Sequence, residues 1–90
     1  MKKVLENKKV MKSLRKLDIN IQKKYSKMVK ELNQGGIRSL SFEAKKMEYN
    51  KDIVRVKLDY RHRAALLINQ GVIEVIEVAT RENFNYIGSC

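Results

Sequence analysis

The sequence predicts an α+β fold in which an N-terminal helical hairpin packs on a small, mainly antiparallel β-sheet. Two stretches carry that expectation. Between about residues 7 and 34, apolar side chains recur at three- and four-residue spacing among lysines, the period of an amphipathic helix. Between 53 and 81, IVRVKLDYRHRAALLINQGVIEVIEVATR holds three runs rich in β-branched residues, separated by DYRHR and NQG, and reads as a three-stranded meander. Ninety residues suffice for one modest core, so residues 1–90 are expected to form one domain.

In chain order, Lys2 to Leu5 suits a short edge strand. A first helix is expected from about Asn7, its N-cap, to Leu17, with Val10, Met11, Leu14 and Leu17 on one side. Asp18 or Asn20 can cap a second helix, about Ile19 to Gln34, whose stripe is Ile21, Tyr25, Met28, Val29 and Leu32. Gly35-Gly36 supplies its stop. Residues 37–50 read as irregular, with Leu40, Phe42 and Met47 plugged into the core and Lys45, Lys46 and Lys51 in solvent. The ending ENFNYIGSC has room for a turn and a strand-like end.

With 43% hydrophobic and 33% charged residues, the chain is expected to be globular rather than disordered. The single cysteine, Cys90, leaves no internal disulfide and no cysteine-built metal site, which suits a reducing, cytoplasmic setting. MKKVLENKKVMKSLRKL has lysines but no continuous apolar stretch, so no secretory signal is read there. AALLI is far too short for a membrane span, which needs about 18 consecutive apolar residues.

A formal net charge of +10 calls for an anionic partner: nucleic acid, an acidic protein or, less suitably, a membrane surface. Residues 1–34 carry eleven of the twenty basic side chains and three of the ten acidic ones, so most of the excess lies on the helices. Most of those lysines read individually as a solvated outer face, but together they attract anions at long range.

The meander concentrates cations differently. If its first turn is Asp59-Tyr60-Arg61, then Leu58 pairs with His62, Lys57 with Arg63, Val56 with Ala64 and Val54 with Leu66. Val54, Val56, Ala64, Leu66 and Ile68 then share an apolar face. The opposite face sets Lys57 across from Arg63, with Arg55 one step along. Facing like charges cost up to about 1 kcal/mol, which an anion site would offset and a purely structural sheet would avoid. A two-residue turn would undo the pairing. Against this stands a solvated polar face of the sheet. His62 also reads as a turn residue topping the core, and Tyr60 and Tyr86 suit surface packing as well as base stacking.

The series VRVKL, RHRAALLINQG, VIEVIEV and ATRENFNY, behind a helical hairpin, resembles the RelE/ParE superfamily of bacterial toxin–antitoxin toxins. The likeness covers nearly the whole chain and is sharpest over residues 53–86. Its strength lies in the series, since no single motif is diagnostic. The ending ATRENFNYI looks most like the HigB-like branch, whose members often have His and then Tyr where this chain has Arg81 and Phe84.

The resemblance implies an mRNA endonuclease acting in the ribosomal A site with no metal or other cofactor. It also implies a cognate antitoxin as protein partner. By position it assigns catalytic roles to Lys57, Arg63, Arg81 and Tyr86. RNA or phosphate binding falls to Arg55 and Arg61, joined by Lys45, Lys46 and His62. Cleavage by a 2′-hydroxyl needs a base, an acid and charge stabilisation. Crowded cations favour loss of an amine proton, which makes Lys57 the candidate base. Arg63 would hold the phosphate bidentately. A guanidinium keeps its proton near neutrality, so Arg81 is assigned to electrostatics, and Tyr86 with Lys57 to proton transfer. Two alternatives share the superfamily: a ParE-type, non-enzymatic inhibitor of DNA gyrase, and an RNA-binding domain with weak or lost nuclease activity, which the Arg81 and Phe84 departures favour.

Overall fold

The computed structural model describes residues 3–48 and 50–84. The order is β1 (Lys3–Glu6), α1 (Lys8–Arg15), α2 (Ile19–Gly35), a 3-10 turn (Gly36–Ser39), then β2 (Glu43–Lys46), β3 (Ile53–Lys57), β4 (His62–Asn69) and β5 (Val72–Thr80). One five-stranded sheet runs β1-β5-β4-β3-β2. All neighbours are antiparallel except β1, which pairs in parallel with β5.

The helices begin where short polar side chains can satisfy their free amides. The Asn7 side-chain oxygen accepts from the Val10 amide at 2.8 Å, and its Nδ2 donates to the Val75 carbonyl at 3.3 Å, so one residue both starts α1 and ties it to β5. Asp18 caps α2 by accepting from the Asn20 amide at 3.1 Å. That helix stops at Gly36, whose φ of 75° is the left-handed conformation a glycine adopts without strain. No helix is long and apolar enough to cross a membrane among the described residues.

The apolar stripes of both helices meet the sheet face predicted to receive them. Val10, Leu14, Ile21, Tyr25, Met28 and Leu32 are buried against Val54, Val56, Ala64, Leu66 and Val75. Tyr25 crosses this core and donates its hydroxyl proton to Glu6 at 2.7 Å, joining α2 to β1. Burial, reinforced by the Glu6 carboxylate, pushes the phenol well above its usual range. After α2, the Glu31 carboxylate accepts from the Ser41 amide and hydroxyl at 2.9 and 2.8 Å and anchors the approach to β2.

Three sequence expectations need correction. Residues 43–46 form a strand rather than an irregular segment: EAKK has no β-branched residue, but its backbone completes the edge beside β3. Met47 is buried as expected, yet on the other side of the sheet from Leu40 and Phe42. That other side is not uniformly polar, because Met47, Ile53, Ala65 and Phe84 form a second buried cluster on it. The apolar positions of this cluster come from the same alternation that places Arg55 and Lys57 there.

Candidate phosphate-binding face

The β3–β4 register is the predicted one: Lys57 faces Arg63, Val56 faces Ala64 and Val54 faces Leu66, closed by a Leu58 amide bond to the His62 carbonyl at 3.0 Å. The newly found β2 extends the pattern, since Glu43 pairs with Lys57 and Lys45 with Arg55. Two like-charged pairs therefore lie side by side, Lys57–Arg63 and Lys45–Arg55, with Glu43 beside them. Together these five residues line a shallow depression of about 130 Å³. A second depression of about 460 Å³ adjoins it through Arg55 and Arg63 and is completed by Arg81, Glu82 and Phe84.

The turn between β3 and β4 is built around two side chains. Asp59 Oδ1 accepts from the Arg61 amide at 2.9 Å, the His62 amide at 2.7 Å and His62 Nδ1 at 3.0 Å. Burial raises the Asp59 carboxyl, but the His62 ring and the two amides outweigh it and hold the group below the usual carboxylate range. Arg63 Nη1 donates to the Asp59, Tyr60 and His62 carbonyls at 2.7, 3.3 and 3.2 Å. Carbonyl dipoles thus fix this guanidinium at the lip of both depressions. Fixing it also reduces the rotamer freedom an anion would otherwise have to quench.

The end of β5 is strapped to the same turn. The Arg81 amide donates to the Arg61 carbonyl at 2.6 Å, and the Arg81 guanidinium lies 5.8 Å from the Tyr60 ring centre. Arg61 and Glu82 meet at 3.6 Å, both well exposed, a contact worth little by itself.

The structure therefore gathers Lys57, Arg63, Arg55, Lys45 and Arg81 of the residues singled out in the sequence. It does not gather all of them. Lys46 pairs with Val54 and so belongs to the helix-side face of the sheet edge. His62 is one position out of phase with Arg63 and is engaged with Asp59, as a turn residue would be. Arg61 sits on the turn beside Glu82, outside both depressions. Tyr86 lies outside the described residues. Phe84 is 4% exposed and packs with Met47, Ile53 and Ala65.

Sequence reasoning passed over Glu43, because β2 was not foreseen. It also passed over Asp59, although an aspartate two residues before an amide it can accept from is a recognisable turn signal.

No protein-family model and no curated protein sequence matches the chain. Solved structures do. A chain of the RelB–RelE antitoxin–toxin complex from Methanococcus jannaschii superposes with a TM-score of 0.77 at 19% identity, over 87% of this chain and 91% of that one. The archaeal RelE–RelB complex from Pyrococcus horikoshii OT3 gives 0.76 at 21% identity, over 92% and 98%. The YoeB/ParE toxin from Agrobacterium tumefaciens gives 0.71 at 9% identity, over 88% and 98%. The α+β architecture expected from the sequence is the one observed, and this chain shares its fold with these RelE–RelB and YoeB/ParE structures.

Proposed function

We propose that the protein is the toxin of a toxin–antitoxin pair, a cytoplasmic, ribosome-dependent endonuclease that cuts mRNA in the A site without a metal. The observation that carries this reading is Lys57 facing Arg63 across adjacent strands, doubled by Lys45 facing Arg55. Each facing pair costs stability, up to about 1 kcal/mol, unless an anion lies between the charges. An RNA phosphate is such an anion, and the two adjoining depressions suit a backbone crossing the sheet.

In this reading the 2′-oxygen attacks the adjacent phosphorus and the bond from phosphorus to the 5′-oxygen breaks. A cyclic 2′,3′-phosphate and a 5′-hydroxyl result. Lys57 takes the 2′-hydroxyl proton. Arg63, held on the turn carbonyls, and Arg81 stabilise the added negative charge on the phosphoryl oxygens. Tyr86 supplies the proton to the leaving oxygen. A cognate antitoxin silences the site by covering the basic surface; the RelE and RelB proteins of the similar archaeal structures are seen as complexes.

A second reading, RNA binding with weak or no cleavage, is favoured by Phe84, which offers no hydroxyl and is buried, and by a guanidinium rather than an imidazole at Arg81. Primer extension on a defined mRNA, with and without translating ribosomes, separates the two. Cuts that need ribosomes and fall by at least about 100-fold in Lys57→Ala support the endonuclease, the loss expected for a general base. Steeply salt-dependent RNA binding without cuts supports the binder. Neither, with gyrase supercoiling blocked, replaces both with the ParE-type inhibitor.

A further inference from the structure

Tyr60 is the most exposed large apolar side chain among the described residues, at 72%. It stands at the tip of the β3–β4 turn, where a structural sequence gains nothing from an aromatic ring that covers no core. The turn beneath it is stiffened from within by Asp59 and Arg63 and from β5 by the Arg81 amide. The Arg81 guanidinium lies over the ring, and the same arginine lines the depression shared with Arg55 and Arg63. An open aromatic face is thus held in place one side chain away from a cationic trough.

We propose that Tyr60 and Arg81 form a nucleobase-stacking site for single-stranded RNA, seating the base attached to a phosphate held in the Arg55–Arg63–Arg81 depression. This rests on the reading of the basic face as an RNA-phosphate site. Single-strand binders combine these two parts, a positive groove that follows the backbone and aromatic rings on which bases stack regardless of sequence. The ring is pre-positioned, so stacking orders little of the protein. The arginine over it adds its own flat guanidinium surface and a charge for the flanking phosphate.

The test is fluorescence anisotropy with a labelled six-nucleotide 2′-O-methyl RNA, which cannot be cut by its own 2′-oxygen, against an abasic backbone of equal length and charge. Wild type should bind the base-bearing strand about tenfold more tightly, within the range one stacked base provides. Tyr60→Ala should lose that preference while binding the abasic strand as before, and Tyr60→Phe should keep it. With Tyr60 mostly in solvent, a thermal melt of Tyr60→Ala should match wild type. A preference unchanged in Tyr60→Ala overturns the stacking site. So does a wild type that binds both strands equally, an outcome that leaves the phosphate reading standing. Failure of wild type to bind either strand at low salt overturns the phosphate reading and the stacking site with it.

Discussion

Replacing Asp59 with alanine tests whether the turn carrying Arg63 is held as described. Three hydrogen bonds converge on Asp59 Oδ1, from two backbone amides and the His62 ring. At about 1 kcal/mol net for each, their loss would cost about 3 kcal/mol. The side chain is 25% exposed, so water replaces part of the loss, and about 2 kcal/mol remains. For a chain of this size that lowers the melting temperature by about 8–16 °C, read by circular dichroism.

Acid should shrink the difference between the variant and wild type, leaving what a neutral acceptor oxygen still supplies. The Asp59 carboxyl titrates below its unfolded value of about 3.9, so its contribution is full above that value and is lost as pH falls through the folded one. Asp59→Asn keeps one acceptor oxygen and should fall between the two. A variant melting within about 2 °C of wild type at neutral pH would refute the account of the turn.

Two further substitutions probe the scaffold by urea unfolding. Leu66, fully buried between β4 and the helices, should cost about 2–5 kcal/mol when cut to alanine, and a loss under about 1 kcal/mol would contradict the packing of this face. Gly71 closes the β4–β5 hairpin with φ at 85° beside Gln70 at 47°, a turn type that demands left-handed backbone at both positions. A side-chain carbon there meets nothing within 4 Å, so Gly71→Ala should lose about 1–2 kcal/mol from backbone strain alone, with much of it returned by Gly71→Asn.

The parts of the fold legible in the sequence are those where period and turn chemistry agree. Val54, Val56, Ala64 and Leu66 alternate with charged or small residues on either side of a polar three-residue turn, and a one-residue slip would put the β3 and β4 pairs on opposite faces. The helix starts were legible in Asn7 and in the choice of Asp18 or Asn20, of which Asp18 caps α2, and the stop in Gly35-Gly36, of which Gly36 ends it. β2 was hidden because its strand character comes from pairing with β3, not from its own residues. The second apolar cluster was hidden for a longer-range reason. Phe84 and Met47, distant in sequence, meet over Ala65 only after the sheet forms, and a bulge between the Ala65 and Leu66 pairings brings Ile76 to the same side. Of the candidate site, the Lys57–Arg63 pair could be read from alternation. The partnership of Lys45 with Arg55 could not, because it depends on the unseen strand.

The parallel seam between β1 and β5 sets an order of events during synthesis. The strands around the basic face, β3, β4 and β5, follow one another closely and can zip up as they emerge. The first strand has no partner until Val72 to Val75 arrive, and the Asn7 side chain waits across 68 positions for the Val75 carbonyl. Such a non-local closure is slow to form. A nascent chain would therefore carry an assembled cationic meander before its N-terminal strand is docked. A binding partner that recognises the meander could engage it while the rest of the molecule is still finding its place.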